Sequence, residues 1–108
     1  MTVPQPRVQV PATAVKGQLF QVKTLISHRM ETGLRHDDEG RVIPRKIINR
    51  FVCRYDGVVV FSVELHEAVA ANPYIEFELR AAESGRIEFA WEEDGGAVYR
   101  LAHDLVVQ

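Results

Sequence analysis

Apolar and polar residues alternate along this chain with a period of two. The pattern is clearest over residues 20–26, 75–81 and 86–92, where one face of each stretch is almost wholly apolar. Successive side chains of a β-strand point to opposite faces, so each stretch is typical of a strand with one buried and one exposed face. The chain has no long stretch with the period of a helix. The pattern therefore predicts antiparallel β-sheets.

Turn-forming residues separate the apolar stretches and limit their length. These residues cluster at 37–40, 56–57, 83–85 and 94–96. We predict strands at about 7–10, 18–27, 43–55, 58–65, 74–82, 86–92 and 97–107. Seven short, one-sided strands favour an all-β fold, an immunoglobulin-like antiparallel β-sandwich of about seven strands, with a small barrel as the alternative. One cysteine excludes an inter-sheet disulfide.

The turn near Asp56 and Gly57 sets the register of one hairpin. A two-residue turn would mix polar and apolar residues on both faces. A loop longer by one residue aligns Phe51 with Phe61 and Cys53 with Val59, which gives one apolar face. We therefore predict a type I turn over residues 55 and 56, followed by a left-handed Gly57 in a bulge.

Length and composition exclude several classes of protein. The 108 residues suit a single domain, 1–108, with residues 1–6 flexible. The net charge is −2 and no stretch concentrates Lys and Arg, so the footprint of nucleic-acid binding is missing. No apolar run approaches the roughly 18 residues of a membrane span. The N-terminus has no signal-peptide pattern, which alone indicates the cytoplasm or export by another route.

Few residues suggest chemistry. Cys53 lies mid-strand beside Phe51, which favours a buried apolar role over a reactive thiol. The four histidines are His28, His36, His66 and His103, and none of them has the spacing of metal ligands. We therefore expect single surface histidines, no metal site and no cofactor. The acidic run 92–94 leads into Gly95 and Gly96 and is interpreted as a solvated turn.

Two segments break the alternation, and such loops on a rigid sandwich often carry function. The first, 27–41, is polar except for Met30 and Leu34, which either fold back on the core or are offered to a partner. The second, 66–73, is rich in small residues and has room for one helical turn ended by Asn72 and Pro73.

The order and spacing of several short motifs resemble the Z subunit of the SoxYZ sulfur-carrier complex. The motifs are Ile26-Ser27-His28, Met30-Glu31-Thr32-Gly33, Ile43-Pro44-Arg45, Ile47-Ile48-Asn49, Phe51-x-Cys53, Asn72-Pro73-Tyr74 and Phe89-x-Trp91. The resemblance runs from about Pro6 to Val107. It implies an immunoglobulin-like fold and a heterodimer with a Y subunit. The cysteine on the Gly-rich C-terminal arm of the Y subunit carries the sulfur substrate during thiosulfate oxidation.

The resemblance also implies a division of labour. This chain ends at Gln108 without a Gly-rich arm or terminal cysteine, so we expect a non-catalytic subunit that holds the Y subunit and touches Sox enzymes transiently. We expect a periplasmic location, reached by co-export with the Y subunit, and possible homo-oligomers when the partner is absent. A generic binding module and a redox protein using Cys53 remain the alternatives.

The loop positions give a hypothesis for the partner-binding residues. They are Met30, Glu31, Gly33, Asn72, Pro73 and Tyr74. The opposing interpretation is that Met30 fills a gap in the core, and that Asn72 and Pro73 only form a tight turn.

Overall fold

A computed structural model describes residues 4–28, 30–66 and 72–108, which form two β-sheets. The strands are β1 (Gln5–Gln9), β2 (Thr13–Ala14), β3 (Leu19–Ser27), β4 (Ile48–Tyr55), β5 (Val58–Glu64), β6 (Tyr74–Arg80), β7 (Gly85–Glu93) and β8 (Val98–Val107). One sheet has the order β1-β3-β6 and the other β2-β8-β7-β4-β5. The predicted all-β, immunoglobulin-like sandwich is confirmed. The described residues contain no helix long and apolar enough to cross a membrane.

The period-two faces seen in the sequence form the core between the sheets. In β3 the buried residues alternate with partly or fully exposed ones, and β7 buries Ile87, Phe89 and Trp91. Aromatic rings fill the centre. Phe51 on β4 contacts Trp91 with ring centroids 5.2 Å apart. Since the faces pack tightly across the two sheets, apolar burial is the main stabilising contribution, at about 25 cal/mol per Å².

In the first half of the chain, two strands begin at other residues than predicted and one strand is additional. β1 begins at Gln5 and pairs with β3, so this strand starts two residues earlier than predicted; residues 1–3 lie outside the described part. β2 is an additional strand of two residues, too short to show alternation. β4 begins at Ile48 and not at residue 43, and Pro44, which cannot donate to a ladder, lies in the segment before it.

The β4–β5 hairpin corrects the predicted turn and register. Asp56 and Gly57 both have positive φ, 50° and 80°, so the turn is a two-residue type I′ turn. Cys53 pairs with Phe61, and the register shifts next to it because Val60 is an extra residue in β5. The bulge therefore lies three residues beyond Gly57. It still restores a common apolar face, because it changes the parity of the strand.

The segment between β3 and β4 folds back on itself. Glu31 forms an isolated bridge with Lys46, and His36 forms another with Val42. The Asp37 carboxylate accepts hydrogen bonds from the backbone N–H groups of Glu39 and Arg41 and closes the turn. The segment between β3 and β4, predicted to be an irregular loop, is thus an arm held together by its own hydrogen bonds. The helical turn predicted within 66–73 lies largely outside the described residues.

Candidate functional site

The thiol of Cys53 is sealed in the core. Cys53 is 0% exposed, and its neighbours across the ladder are Phe61 and Phe89. Loss of solvation raises the pKa of this thiol to about 12. The thiolate is the reactive form of cysteine, so burial and the raised pKa both disfavour reaction of Cys53 at neutral pH.

A buried polar pair joins the two sheets at one end of the sandwich. His28 follows β3 in the three-stranded sheet, and Glu93 ends β7 in the five-stranded sheet. Nε2 of His28 lies 2.5 Å from Oε2 of Glu93, and both side chains are 4% exposed. Charged groups are rarely buried so completely unless they are paired.

Three further side chains complete the surroundings of this pair. The Tyr99 hydroxyl donates to Oε2 of Glu93 at 2.8 Å, and Nζ of Lys46 lies 3.5 Å from Oε1. Sδ of Met30 lies 3.1 Å from Nδ1 of His28. Burial alone raises the pKa of Glu93. The hydrogen bonds from His28 and Tyr99, with the charges of His28 and Lys46, outweigh burial and set the pKa below its ordinary value.

The neighbouring carboxylate fixes the arm to the sheet. Asp94 accepts hydrogen bonds from the side chains of Arg45 and Asn49 and from the backbone N–H of Ile47. Hydrogen bonding to Arg45, the largest cause, lowers the pKa of Asp94 despite partial burial. A cleft of about 590 Å³ opens beside these groups. Its lining residues are Glu31, Ile43, Pro44, Arg45, Lys46, Glu93, Asp94, Gly95 and Ala97.

Two interpretations made from the sequence are wrong here. His28 is 7% exposed and is not a surface histidine, while Glu93 is 5% exposed and is not part of a solvated turn. The signal was present in the alternation. The buried series 20, 22, 24 and 26 continues to His28, and the series 87, 89 and 91 continues to Glu93.

The structure places the first three predicted partner-binding residues on the arm. Met30 packs partly buried against the core, and its sulfur accepts a hydrogen bond from the backbone N–H of Ile48 at 3.3 Å. This contact agrees with a core role for Met30. Glu31 pairs with Arg35 at 2.6 Å. Gly33 has a φ of 87°, a conformation that favours glycine.

The other three predicted residues lead into β6. Oδ1 of Asn72 accepts from the backbone N–H of His28 at 3.4 Å, which brings it to the arm near Met30. Pro73 is buried, while Tyr74 is 55% exposed and donates from its hydroxyl to Glu76. Partner binding by all six residues stays a prediction.

Leu34, the second apolar residue singled out within 27–41, behaves differently from Met30. Leu34 is 82% exposed. His36 and His66 are exposed, and His103 is partly buried. Within residues 4–28, 30–66 and 72–108, no group of three or more His, Cys, Asp and Glu side chains is placed to hold a metal ion.

The two sheets and their sealed thiol define an immunoglobulin-like β-sandwich domain whose single cysteine is a core residue. The chain belongs to the family described as Sulphur oxidation protein SoxZ, whose model matches residues 8–103. Its role therefore lies in the Sox system of sulfur oxidation, and membership implies a SoxY partner. No curated protein matches the chain.

Solved structures share the fold at low identity. The sulfur carrier protein SoxY from Chlorobium limicola f thiosulfatophilum has a TM-score of 0.65 and 14% identity, over 94% of this chain and 74% of that one. The superoxide reductase (neelaredoxin) from Ignicoccus hospitalis has a TM-score of 0.72 and 17% identity, over 95% and 80%. A putative superoxide reductase from Thermotoga maritima has a TM-score of 0.71 and 15% identity, over 95% and 85%. At these identities the likeness establishes the fold alone.

Proposed function

We propose that this chain is the non-catalytic scaffold of a SoxYZ heterodimer, in which the Y subunit supplies the cysteine that carries sulfur. The observation that supports this most directly is the state of Cys53. A thiol that carries sulfur must be exposed and must extend from its subunit to reach the client enzymes. Cys53 is fully buried with its pKa raised to about 12, so it does not meet this requirement.

In this scaffold role, the remaining features of the chain serve stability and the binding of partners. Asp94 bonds the arm to the sheet, and a surface that is ordered before binding loses little conformational freedom on association, which favours binding. Client Sox enzymes would then contact the pair of subunits transiently. We also propose that the complex works in the periplasm and that this chain is exported with its partner; fractionation of cells with and without the Y subunit tests that point.

The decisive experiment combines assembly with turnover. The chain and the Y subunit from the same organism are mixed and examined by native mass spectrometry, with a one-to-one complex as the expected result. In the reconstituted Sox system, Cys53→Ala in this chain should leave thiosulfate-dependent turnover within twofold. Substitution of the cysteine on the Y subunit should abolish turnover. Loss of turnover with folded Cys53→Ala would overturn the proposal.

A further inference from the structure

One side of the sandwich has two open strand edges. β5 ends the five-stranded sheet and β6 ends the three-stranded sheet, and the described residues offer no further strand to either edge. The rings of Phe61 on β5 and Phe77 on β6 stack 4.2 Å apart, so the two edges lie on the same side of the molecule. Phe61 and Val63 are only partly buried between them.

The β5 edge has few of the features that protect an edge strand. Val58, Val59 and Val60 are 64%, 48% and 42% exposed. Among its seven residues only Glu64 is ionisable, and none is proline. Natural edge strands are usually protected by charges, proline or short length, because an exposed apolar edge pairs with other chains. The protection that β5 does have is limited to Glu64 at its end and a bulge at Val60.

The residues beside the β5 edge indicate the chemistry of a partner that would cover it. Arg54 is exposed and lies directly across the ladder from Val59. Arg50, four residues before Arg54 on β4, is balanced by Glu92 at 3.9 Å. Glu88 on β7 lies directly across the ladder from Arg54 on its other side, so the charges beside the valines are balanced. The exposed strip along this edge is therefore mainly apolar, which suits apolar contacts with a partner strand.

We infer that β5 is the strand by which this chain pairs with the Y subunit, through backbone hydrogen bonds along its outer edge and apolar contacts with the exposed valines. The inference rests on the proposed function, which names the partner. A SoxY protein has this same fold, and two like sandwiches can meet edge to edge about a near-twofold axis. Added strands of this kind gain affinity from main-chain bonds and specificity from alternate side chains.

The test compares two valines of equal exposure. Val59 on β5 is 48% exposed and Val106 on β8, near the opposite edge of the sheet, is 49% exposed. Calorimetric titration with the full Y subunit should show at least tenfold weaker binding for Val59→Lys, and less than threefold change for Val106→Lys. Thermal melts establish that both variants are folded.

Hydrogen exchange of the wild-type protein gives a second measurement that needs no variant. Amides of Val58–Glu64 should become protected when the Y subunit binds. Unchanged exchange there, or equal binding by folded Val59→Lys, would overturn the inference while leaving the heterodimer intact. If the wild type does not bind the Y subunit, the proposed function itself fails. If Val59→Lys instead only dissociates a homodimer of this chain, a second copy covers the edge, and the inference is wrong.

Discussion

His28 Nε2 and Glu93 Oε2 meet at 2.5 Å across the interior of the sandwich, although the residues are 65 positions apart in the chain. The contact links the end of β3 in one sheet to the end of β7 in the other. It supplies a polar connection between sheets in a fold whose single cysteine excludes an internal disulfide. A buried pair of this kind is held in place by the cost of leaving either partner unpaired.

Replacing one member of the pair should lower the stability of the fold, because the other member is left buried and unpaired. Glu93→Gln keeps the size of the side chain but leaves His28 without its anion. We expect the free energy of unfolding at pH 7 to fall by about 3 kcal/mol. Glu92→Gln is the matched control, since Glu92 has only a surface ion pair with Arg50, and it should change stability by less than about 1 kcal/mol. Urea unfolding measures both, and equal losses would show that the pair has no special role.

The pair should also shape the pH dependence of stability. The pKa of Glu93 is lower in the folded chain than in an unfolded one, so the folded state binds fewer protons in acid. Its contribution to stability is therefore complete above the ordinary glutamate pKa and is lost as pH falls through the lowered value. Asp94 contributes with the same sign. Urea unfolding between neutral and acidic pH should show a shallower decline for Glu93→Gln than for wild type, and parallel curves would contradict this.

Cys53 should resist thiol reagents in the native protein. With a pKa of about 12 and no exposure, its labelling requires local or global unfolding. We expect little reaction with a disulfide reagent at pH 8 over the time in which a free thiol peptide reacts completely. The same reagent should label the chain stoichiometrically in concentrated urea. Rapid labelling of the native protein would revive a redox role.

The type I′ turn makes Gly57 sensitive to substitution. Its φ of 80° is readily reached by glycine, tolerated by asparagine and strongly resisted by a β-branched residue. We expect Gly57→Val to destabilise the chain by about 2 kcal/mol, and Gly57→Asn to cost much less. An added Cβ meets nothing within 4 Å, so the backbone and not crowding causes the loss. Similar melting temperatures for the two variants would argue against this turn.

Met30 and Tyr74 should separate a stability role from a binding role. Met30 packs against the core, so Met30→Ala should lower the free energy of unfolding by about 2 kcal/mol. Tyr74 is 55% exposed, and Tyr74→Ala should leave stability nearly unchanged while weakening binding to the Y subunit. Thermal unfolding and titration with that subunit measure the two effects. Unchanged affinity for Tyr74→Ala would remove it from the predicted partner-binding residues.

The sequence was most informative where alternation was strong and least informative where a contact depends on distant partners. Period two correctly predicted the buried faces of β3, β6 and β7, because each strand buries one side. The same period places His28 and Glu93 on the buried faces. Because both residues are polar, they were predicted to be exposed. Only the sheet arrangement brings these two together. The hairpin register failed because a bulge at Val60 restores face parity as well as a longer loop does.

The pairing of β2 with β8 joins residues 13–14 to residues 106–107, which are among the most distant strand partners in the chain. Contacts between residues so far apart in sequence slow folding, because a large loop must close first. The β4–β5 hairpin, by contrast, needs only a two-residue turn and can form early during synthesis. The hairpin would then expose its apolar face, including Phe51 and Phe61, before Phe77 of the other sheet covers it. Early capture by a partner or chaperone would therefore favour productive folding over aggregation.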